Sequence, residues 1–549
     1  MPYDNPYIQV KLDVEFTAPD GSKKIVPAFW DGGSEWRVRY ASPAVGNHAY
    51  HSICSSDNDS GMNGIEGVVE IAPYTGDNPL YLHGPIGVSE DRRHFEHADG
   101  TPFFWLGDTW WKGLCARIPW EGFQKLAADR KAKGYTVVQI IGGGPYPDEQ
   151  LFDPRWKNEA GMPYTKDFAS VNPQYFKYAD RRLHHLVHEG IIPAIVGAWG
   201  WHRPGKDPGS GIVSNEDIDA GDGEWFYRHW RYLIARYGAY PVTWIAAGEM
   251  RHPYLHDVAK YVREHDPFRR LLTMHPPGGP ELQSGRKALN NDIYCDFDFL
   301  QTAHNDWDSA PITVSSFTAS YSKNPIMPVV NGEVVYEWHK DQGRHDIQRY
   351  MFWVCMLSGA AGHTYGAGGL WQMNSPAVHG SDAYERTPWF VAMHYPGCAQ
   401  LALGKKLLEE YRWWRFEPHQ EWVEPSSTTH SEPHVEWYDN HAQWEQMKGR
   451  ADLPFAAGIP GEVRFIYIPG NDSYQLTAPI VRHLEPDVDY GAFLFEPMWG
   501  GRIDLGIVEK SHSSRDSNLT QSSEPLTEFH PPQLPSPQDW VLVLEKRVD

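Results

Sequence analysis

The stretch Val242-Thr243-Trp244-Ile245-Ala246-Ala247-Gly248-Glu249 decides the fold: a short, mostly apolar run that ends in a glycine and then a carboxylate. The run is too short for a typical helix. It lacks the polar alternation of a half-exposed strand, so it reads as a strand buried on both faces, as in a parallel sheet covered by helices. Runs of the same kind recur on either side of it. With this one they give strands at 103–107, 136–141, 192–197, 242–247, 271–275, 297–302, 327–332 and 361–365. Longer amphipathic stretches lie between most of them, including 120–133, 173–189, 223–237, 345–357 and 388–403. Eight strands in about 300 residues with this alternation predict an α/β fold of the (β/α)8 TIM-barrel kind. A doubly wound open sheet is the alternative, but no glycine-rich dinucleotide turn follows the first strand.

The flanks read differently. Residues 1–88 carry short alternating runs (36–40 and 67–71) between turn clusters such as Pro19-Asp20-Gly21, which predicts an N-terminal β-sandwich. The barrel is expected over 89–428. A C-terminal β-sandwich is expected over 429–549, with strands at 463–468 and 540–545 and a long exposed loop over 511–537. The Asp57-Asn58-Asp59-Ser60-Gly61 stretch lacks EF-hand spacing and reads as a polar turn.

Barrels of this kind keep their chemistry at the C-terminal ends of the strands. That rule selects Asp108, Trp110 and Trp111 after the first strand and Trp199, Trp201 and His202 after the third. Glu249 follows the fourth, His275 ends the fifth, and Gln301 and His304 end the sixth. Glu333 ends the seventh, with Tyr336, Glu337 and Trp338 behind it; Tyr365 and Trp371 follow the eighth. Acids, histidines and tryptophans thus converge on one rim. A carboxylate at the tip of a buried strand is costly unless it is solvated in a cleft or paired. Glu249 and Glu333 lie across the mouth from each other, as the two carboxyl groups of glycoside hydrolysis must. Asp108 and Glu337 fit substrate contact and structural bracing equally well.

Of the 549 residues, 71 are acidic and 49 basic, and the formal net charge of −22 leaves no basic excess for nucleic acid or an anionic membrane surface. The 24 tryptophans suit a cleft that stacks sugar rings, although a large core could absorb many of them. An anionic glycan would need a basic pocket, for which Arg203 and Arg251 are the rim candidates. The five cysteines are dispersed without C-x-x-C spacing and give neither a disulfide frame nor a zinc site. His184, His185 and His188 have metal-compatible spacing but fall on an outer helix and read as a solvated face. His275 and His304 could hold a metal with Asp108 or donate to sugar hydroxyls; no H-x-H follows the first strand, which favours hydrogen bonding. No metal and no cofactor are expected. The start of the chain has no basic n-region or apolar h-region. A cytoplasmic protein is therefore expected, or a secreted or periplasmic one whose leader was removed. Homo-oligomerisation stays open.

The run from Phe95 to Trp111, with Phe103-Phe104-Trp105-Leu106-Gly107-Asp108-Thr109-Trp110-Trp111 at its end, resembles the opening of the apiosidase-like glycoside hydrolases. Gln301-Thr302-Ala303-His304, Val330-Asn331-Gly332-Glu333 and Gly359-Ala360-Ala361-Gly362-His363-Thr364-Tyr365-Gly366 are similar to later segments of that family, in order. The N-terminal part resembles the β-domain that often precedes this barrel. The C-terminal part resembles a β-domain named for collagen binding, a name from which no such binding is inferred. The resemblance implies a retaining glycosidase with Glu333 as nucleophile and Glu249 as acid/base, the two carboxyl groups about 5–5.5 Å apart. It further implies an exo-acting enzyme that removes a terminal sugar from a plant-type glycan or glycoside. Two departures touch the pocket. The family's fourth strand usually ends Gly-Gly-Asp, where this chain has Ala247-Gly248-Glu249, and Gln301-Thr302-Ala303-His304 replaces Gln-Ser-Gly-His. Apiose is therefore one furanose candidate beside others such as arabinose. A non-catalytic carbohydrate-binding protein and a metal-dependent hydrolase built on His275, His304 and Asp108 are the rival readings.

Overall fold

Eight short parallel strands form the centre of the computed structural model: β1 (Trp105–Thr109), β2 (Val137–Ile141), β3 (Ile192–Val196), β4 (Thr243–Gly248), β5 (Leu272–His275), β6 (Asp298–Gln301), β7 (Val329–Glu333) and β8 (Gly362–Tyr365). The structure describes residues 3–165, 168–200, 224–250, 254–277, 283–289, 292–380, 384–424, 453–470, 476–513 and 526–547. The strands are hydrogen-bonded in the order β5-β4-β3-β2-β1-β8-β7-β6, a nearly closed (β/α)8 barrel. The seam lies between β5 and β6. There the Asp296 amide donates to the Leu272 carbonyl at 2.9 Å and the Thr273 hydroxyl to the Phe297 carbonyl at 2.8 Å, with no ladder between the strands.

Side chains alternate across each strand, and the packing follows that period. Trp105, Val137, Ile192, Ala194, Ile245, Phe299 and Val330 fill the interior. Leu106, Val138, Ile195, Trp244 and Val329 face the surrounding helices. Those helices are α1 (Trp120–Ala132), α2 (Pro173–His188), α3 (Glu224–Tyr237), α4 (Tyr254–His265), α5 (Ala310–Ser322), α6 (His345–Leu357) and α7 (Pro396–Glu409). Between β5 and β6 only short turns, Gly285–Ala288 and Asp292–Tyr294, are seen among the described residues. The single helix expected over 388–403 is two, Trp389–Ala392 and α7. Pro396 cannot continue a helix but suits the first position of a new one.

The N-terminal part is antiparallel. Lys23–Pro27, Leu12–Thr17, Gly46–Cys54 and Glu66–Ile71 form one sheet in that order, and Phe29–Gly32 pairs with Glu35–Arg37 beside it. It is fixed to the barrel by Asp180 of α2, which takes Arg39 from the N-terminal part and Arg236 of α3, each at 2.6 Å. The C-terminal sheet takes its first strand from Glu417–Pro418, well ahead of residue 428, and continues with Phe455–Ile459, Val463–Ile468, Trp540–Lys546, Tyr490–Phe495 and Arg502–Ile507. Arg349 of α6 pairs with Asp539 at 2.7 Å and holds this sheet against the barrel. The expected exposed loop over 511–537 is partly structured: Ser511–Ser513 pairs with Leu526–Glu528. The 57–61 stretch is a turn in which Asp59 accepts from the Gly61 amide, as its composition implies.

Candidate active site

Glu249 and Glu333 meet over one amide. The Gln301 side-chain nitrogen donates to Glu249 at 2.8 Å and to Glu333 at 2.9 Å. Laid end to end, those bonds allow the two accepting oxygens a separation of at most about 5.7 Å. Each carboxylate arrives there by a local irregularity. The β4–β5 register shifts between Ile245 and Gly248, and the β6–β7 register shifts between Leu300 and Gln301. Bulges of this kind re-aim side chains next to active sites. Glu249 itself sits in the left-handed region at φ 49°, a strained conformation for a residue with a side chain. Gly248 before it is required: a Cβ there would lie 2.0 Å from the Trp199 ring.

The two carboxyls have opposite environments. His275 Nε2 lies 2.8 Å from one oxygen of Glu333 and His304 Nε2 lies 2.6 Å from the other. Burial would raise the Glu333 pKa, but His275 and His304 outweigh it and hold the group well below the usual carboxylate range. Glu249 has the Gln301 amide and the Trp199 indole N–H, the latter at 3.3 Å. Burial, then the negative charge of Glu333, push its pKa up. One group is thus set to stay ionised and the other to hold a proton.

Aromatic rings surround the pair. Trp111 and Trp199 lie 4.9 Å apart by ring centroid, and His275 is 4.6 Å from Trp199. The Trp111 indole donates to the Tyr336 hydroxyl at 3.1 Å, and the Tyr336 ring lies 4.6 Å from His304. Trp371 stands behind Tyr336 at 6.3 Å. Trp338 is partly exposed in the loop after β7. Trp201, His202, Arg203 and Arg251 lie outside the described residues.

Four of the expected contact residues do not face the mouth. Asp108 and Tyr365 have the outward parity of their strands. Asp108 is fully buried against Arg130 of α1 at 2.6 Å and accepts from the Trp110 indole at 2.8 Å. Trp110 is likewise fully buried, with its ring against Phe123. Glu337 accepts from the Tyr365 hydroxyl at 2.6 Å and from the Gly397 amide at the start of α7. These four brace the barrel wall. Asp108 is therefore absent from the His275–His304 cluster, and both histidines direct a ring nitrogen to Glu333. Among the described residues no group of three or more His, Cys, Asp or Glu side chains is arranged to hold a metal ion.

Sequence reasoning missed part of the rim. His339 lies 5.5 Å from His304 and 5.9 Å from Trp371 by ring centroid, and Tyr384 lies 5.0 Å from His339. The Tyr384 hydroxyl donates to Asp148 at 3.1 Å, and Arg155 donates to the carbonyls of His379 and Gly380 at 3.2 and 3.1 Å. The loops after β2 and β8 are thereby bolted together. Below them Glu149 takes Lys112 at 2.8 Å and also pairs with Arg117, all three side chains buried. A histidine right after Trp338 was a usable signal; nothing in the spacing marks Asp148 and Tyr384 as partners.

A family model described as "Apiosidase-like, catalytic domain" matches residues 89–415, and one described as "Domain of unknown function (DUF5060)" matches residues 1–55. No curated protein matches the chain. Among solved structures, one titled "Glycoside hydrolase" is similar with a TM-score of 0.64 at 19% identity, covering 86% of this chain and 98% of its own. A glycoside hydrolase family 5 structure from Bacteroides vulgatus has the same score and identity over 85% of this chain and 94% of its own. A further Bacteroides vulgatus structure reaches 0.68 at 16% identity over 100% of this chain and 97% of its own. At these identities the likeness shows the fold. Among the described residues no helix is long and apolar enough to cross a membrane.

Proposed function

The chain belongs to the apiosidase-like family and is a glycoside hydrolase, and from that premise we propose that it cleaves a terminal sugar with retention of configuration, Glu333 acting as nucleophile and Glu249 as acid/base. The observation that carries this reading is the amide shared by the two carboxylates. It caps the distance between the two accepting oxygens at about 5.7 Å, which supports double displacement (about 5–5.5 Å) over the roughly 6.5–9.5 Å that leaves room for an attacking water in inversion.

In the first step Glu249 gives its proton to the glycosidic oxygen while a Glu333 oxygen attacks the anomeric carbon. The bond to the leaving group breaks and a glycosyl ester forms on Glu333. In the second step Glu249, now a carboxylate, takes a proton from water, whose oxygen displaces Glu333 and releases the sugar. The opposed pKa shifts match these roles. Trp111, Trp199, Tyr336 and Trp371 supply ring faces for the sugar, and His275, His304 and Gln301 fix the carboxylates. No cofactor enters either step.

Exo action is supported by the hydrogen bonds that join the loops after β2 and β8, the arrangement expected where one side of a cleft is closed. The leading substrate class is a furanoside, apiose or arabinose at the end of a plant-type glycan among them. The test is a panel of aryl glycosides, furanosides included, with NMR detection of the first-formed anomer. The expected product keeps the anomeric configuration of the substrate. Inverted product refutes the retaining mechanism, and internal cleavage of a polymer refutes exo action.

A further inference from the structure

The turn that follows β7 is built around one histidine. Trp338, Lys340 and Asp341 have φ of 60°, 54° and 59°, so three residues with side chains stand in the left-handed region on either side of His339. Such strain is costly and gathers at functional sites. Backbone bonds close the turn: the His339 amide donates to the Tyr336 carbonyl at 3.1 Å and the Gln342 amide to the His339 carbonyl at 3.0 Å.

Four aromatic rings enclose the His339 imidazole, with centroids at 5.0 Å (Tyr384), 5.5 Å (His304), 5.9 Å (Trp371) and 6.0 Å (Tyr336). Its Nδ1 lies 3.1 Å from Oε2 of Glu385. That carboxylate also accepts from the amides of Lys340 at 3.2 Å and Gly369 at 2.9 Å. Burial would raise the Glu385 pKa, but the His339 bond and the backbone amides outweigh it and hold the group below its ordinary value. An ionised carboxylate only accepts, so Nδ1 carries the hydrogen. Burial pushes the His339 pKa down in spite of Glu385, which keeps the ring neutral. A neutral imidazole with its hydrogen on Nδ1 presents a lone pair at Nε2. That nitrogen makes no hydrogen bond among the described residues, although the residue is only 6% exposed. His304 cannot take the same part: its Nε2 is on Glu333, and its Nδ1 is closed off from solvent.

We propose that His339 Nε2 accepts a hydrogen bond from one hydroxyl of the sugar, with Glu385 as the positioning residue that fixes the tautomer. This rests on the glycosidase reading above and narrows its substrate. The sugar must carry a free hydroxyl at that position. A deoxy carbon offers no hydrogen to the lone pair, and a methyl ether sets a second lone pair against it. Either change leaves a nearly buried acceptor unpaired, which is how a site of this kind rejects an analogue.

The experiment has two arms. In the first, the aryl furanoside that the enzyme turns over fastest is compared with its monodeoxy and mono-O-methyl counterparts. At one position, removal or methylation of the hydroxyl should lower kcat/KM about 10–100-fold. His339→Leu should lower the parent substrate by the same factor and leave those two analogues unchanged. His339→Gln, whose amide oxygen accepts, should restore part of the parent rate. Analogues that keep their native ratios to the parent in His339→Leu overturn the proposal.

The second arm needs no turnover. The full chain carrying Glu333→Gln is labelled with 15N-histidine, and the ring nitrogens of His339 are assigned by their loss in His339→Leu. The expected signals at pH 7 are a protonated Nδ1 and a bare Nε2, the latter shifting when methyl arabinofuranoside or methyl apiofuranoside is added. Glu385→Ala should let both tautomers appear, which a merely structural Glu385 would not cause. A hydrogen on Nε2, or an Nε2 signal that neither glycoside moves, overturns the proposal. A bare Nε2 that responds to sugar in a protein with no activity on any glycoside leaves the contact standing and refutes the catalytic reading instead.

Discussion

His275 Nε2 stands 2.8 Å from Glu333, and the bond joins the tips of β5 and β7, two strands that are not neighbours. With His304 on the other oxygen, the Glu333 carboxylate is held from both sides. On the proposed mechanism Glu333 works as an anion, so the acidic limb of the kcat/KM profile follows its protonation. Removing a donor raises the pKa of the group, and protonation then sets in at higher pH. His304→Leu is therefore expected to move the acidic limb upward and narrow the active range. A pH–rate profile measures this, and an unmoved limb removes Glu333 from the role.

Glu249 is expected to show its role through the leaving group. Glu249→Gln should lower kcat/KM on substrates with poor leaving groups by about 10²–10⁴-fold. Aryl glycosides whose phenolate departs without protonation should lose far less in the first step and accumulate the glycosyl-enzyme. Glu333→Gln should lose activity on both classes alike. A flat leaving-group dependence in Glu249→Gln means that the proton comes from elsewhere.

Gln301→Leu deletes the shared donor and keeps much of its volume. Loss of one pre-aimed donor in such a site costs about 10²–10³-fold in kcat. The Gln301 bond also lowers the Glu249 pKa, so its loss should shift the basic limb to higher pH. A variant with reduced kcat and an unchanged basic limb would place Gln301 on the substrate instead.

Asp108→Ala separates bracing from substrate contact. It removes the carboxylate on the Arg130 Nε and leaves Asp129 as that buried guanidinium's remaining acidic partner, so the cost is at or below the roughly 3–5 kcal/mol of breaking a buried pair on one side. Thermal or denaturant unfolding should show that loss, while KM of the surviving folded protein stays near the native value. A large KM effect without destabilisation would return Asp108 to the binding site.

Burial pushes the Glu337 carboxyl up to about 7. Its folded-state pKa therefore lies above the unfolded value, and the folded state binds the extra proton. The stability it contributes is complete below the unfolded pKa and is lost as pH rises through about 7. Glu337→Gln keeps an acceptor for Tyr365 and Gly397 and abolishes the titration. Melting temperatures measured from pH 5 to pH 8 should fall for the native protein relative to the variant over that span, and parallel curves refute the assignment.

The barrel was readable because β2, β3 and β4 are nearly unbroken apolar runs, and each observed strand lies within two residues of its expected bounds. The gathering of Glu249, Glu333, His275, Gln301 and His304 at one end of the barrel was readable because a polar group directly after such a run has the mouth as its solvated outlet. The same alternation also contained the answer for Asp108 and Tyr365. Trp105, Gly107 and Thr364 face inward, so Asp108 and Tyr365 must face the helices. Counting strand tips without counting parity assigned them to the wrong side. Trp110 followed Asp108 into the wall, which moves one more tryptophan from cleft to core. The link between Asp148 and Tyr384 was not readable, because it depends on how two loops fold over each other.

The seam between β5 and β6 gives the candidate site a mechanical duty. His275–Glu333 and Gln301–Glu249 both reach across that seam, from one lip of the barrel to the other. The two carboxylates proposed to act on the substrate are thus also fasteners of the rim. On the proposed mechanism each cycle, by moving a proton from Glu249 and esterifying Glu333, undoes and remakes those fastenings in turn. Hydrogen exchange at the β5 and β6 tips is therefore expected to differ between the free protein and its trapped glycosyl ester.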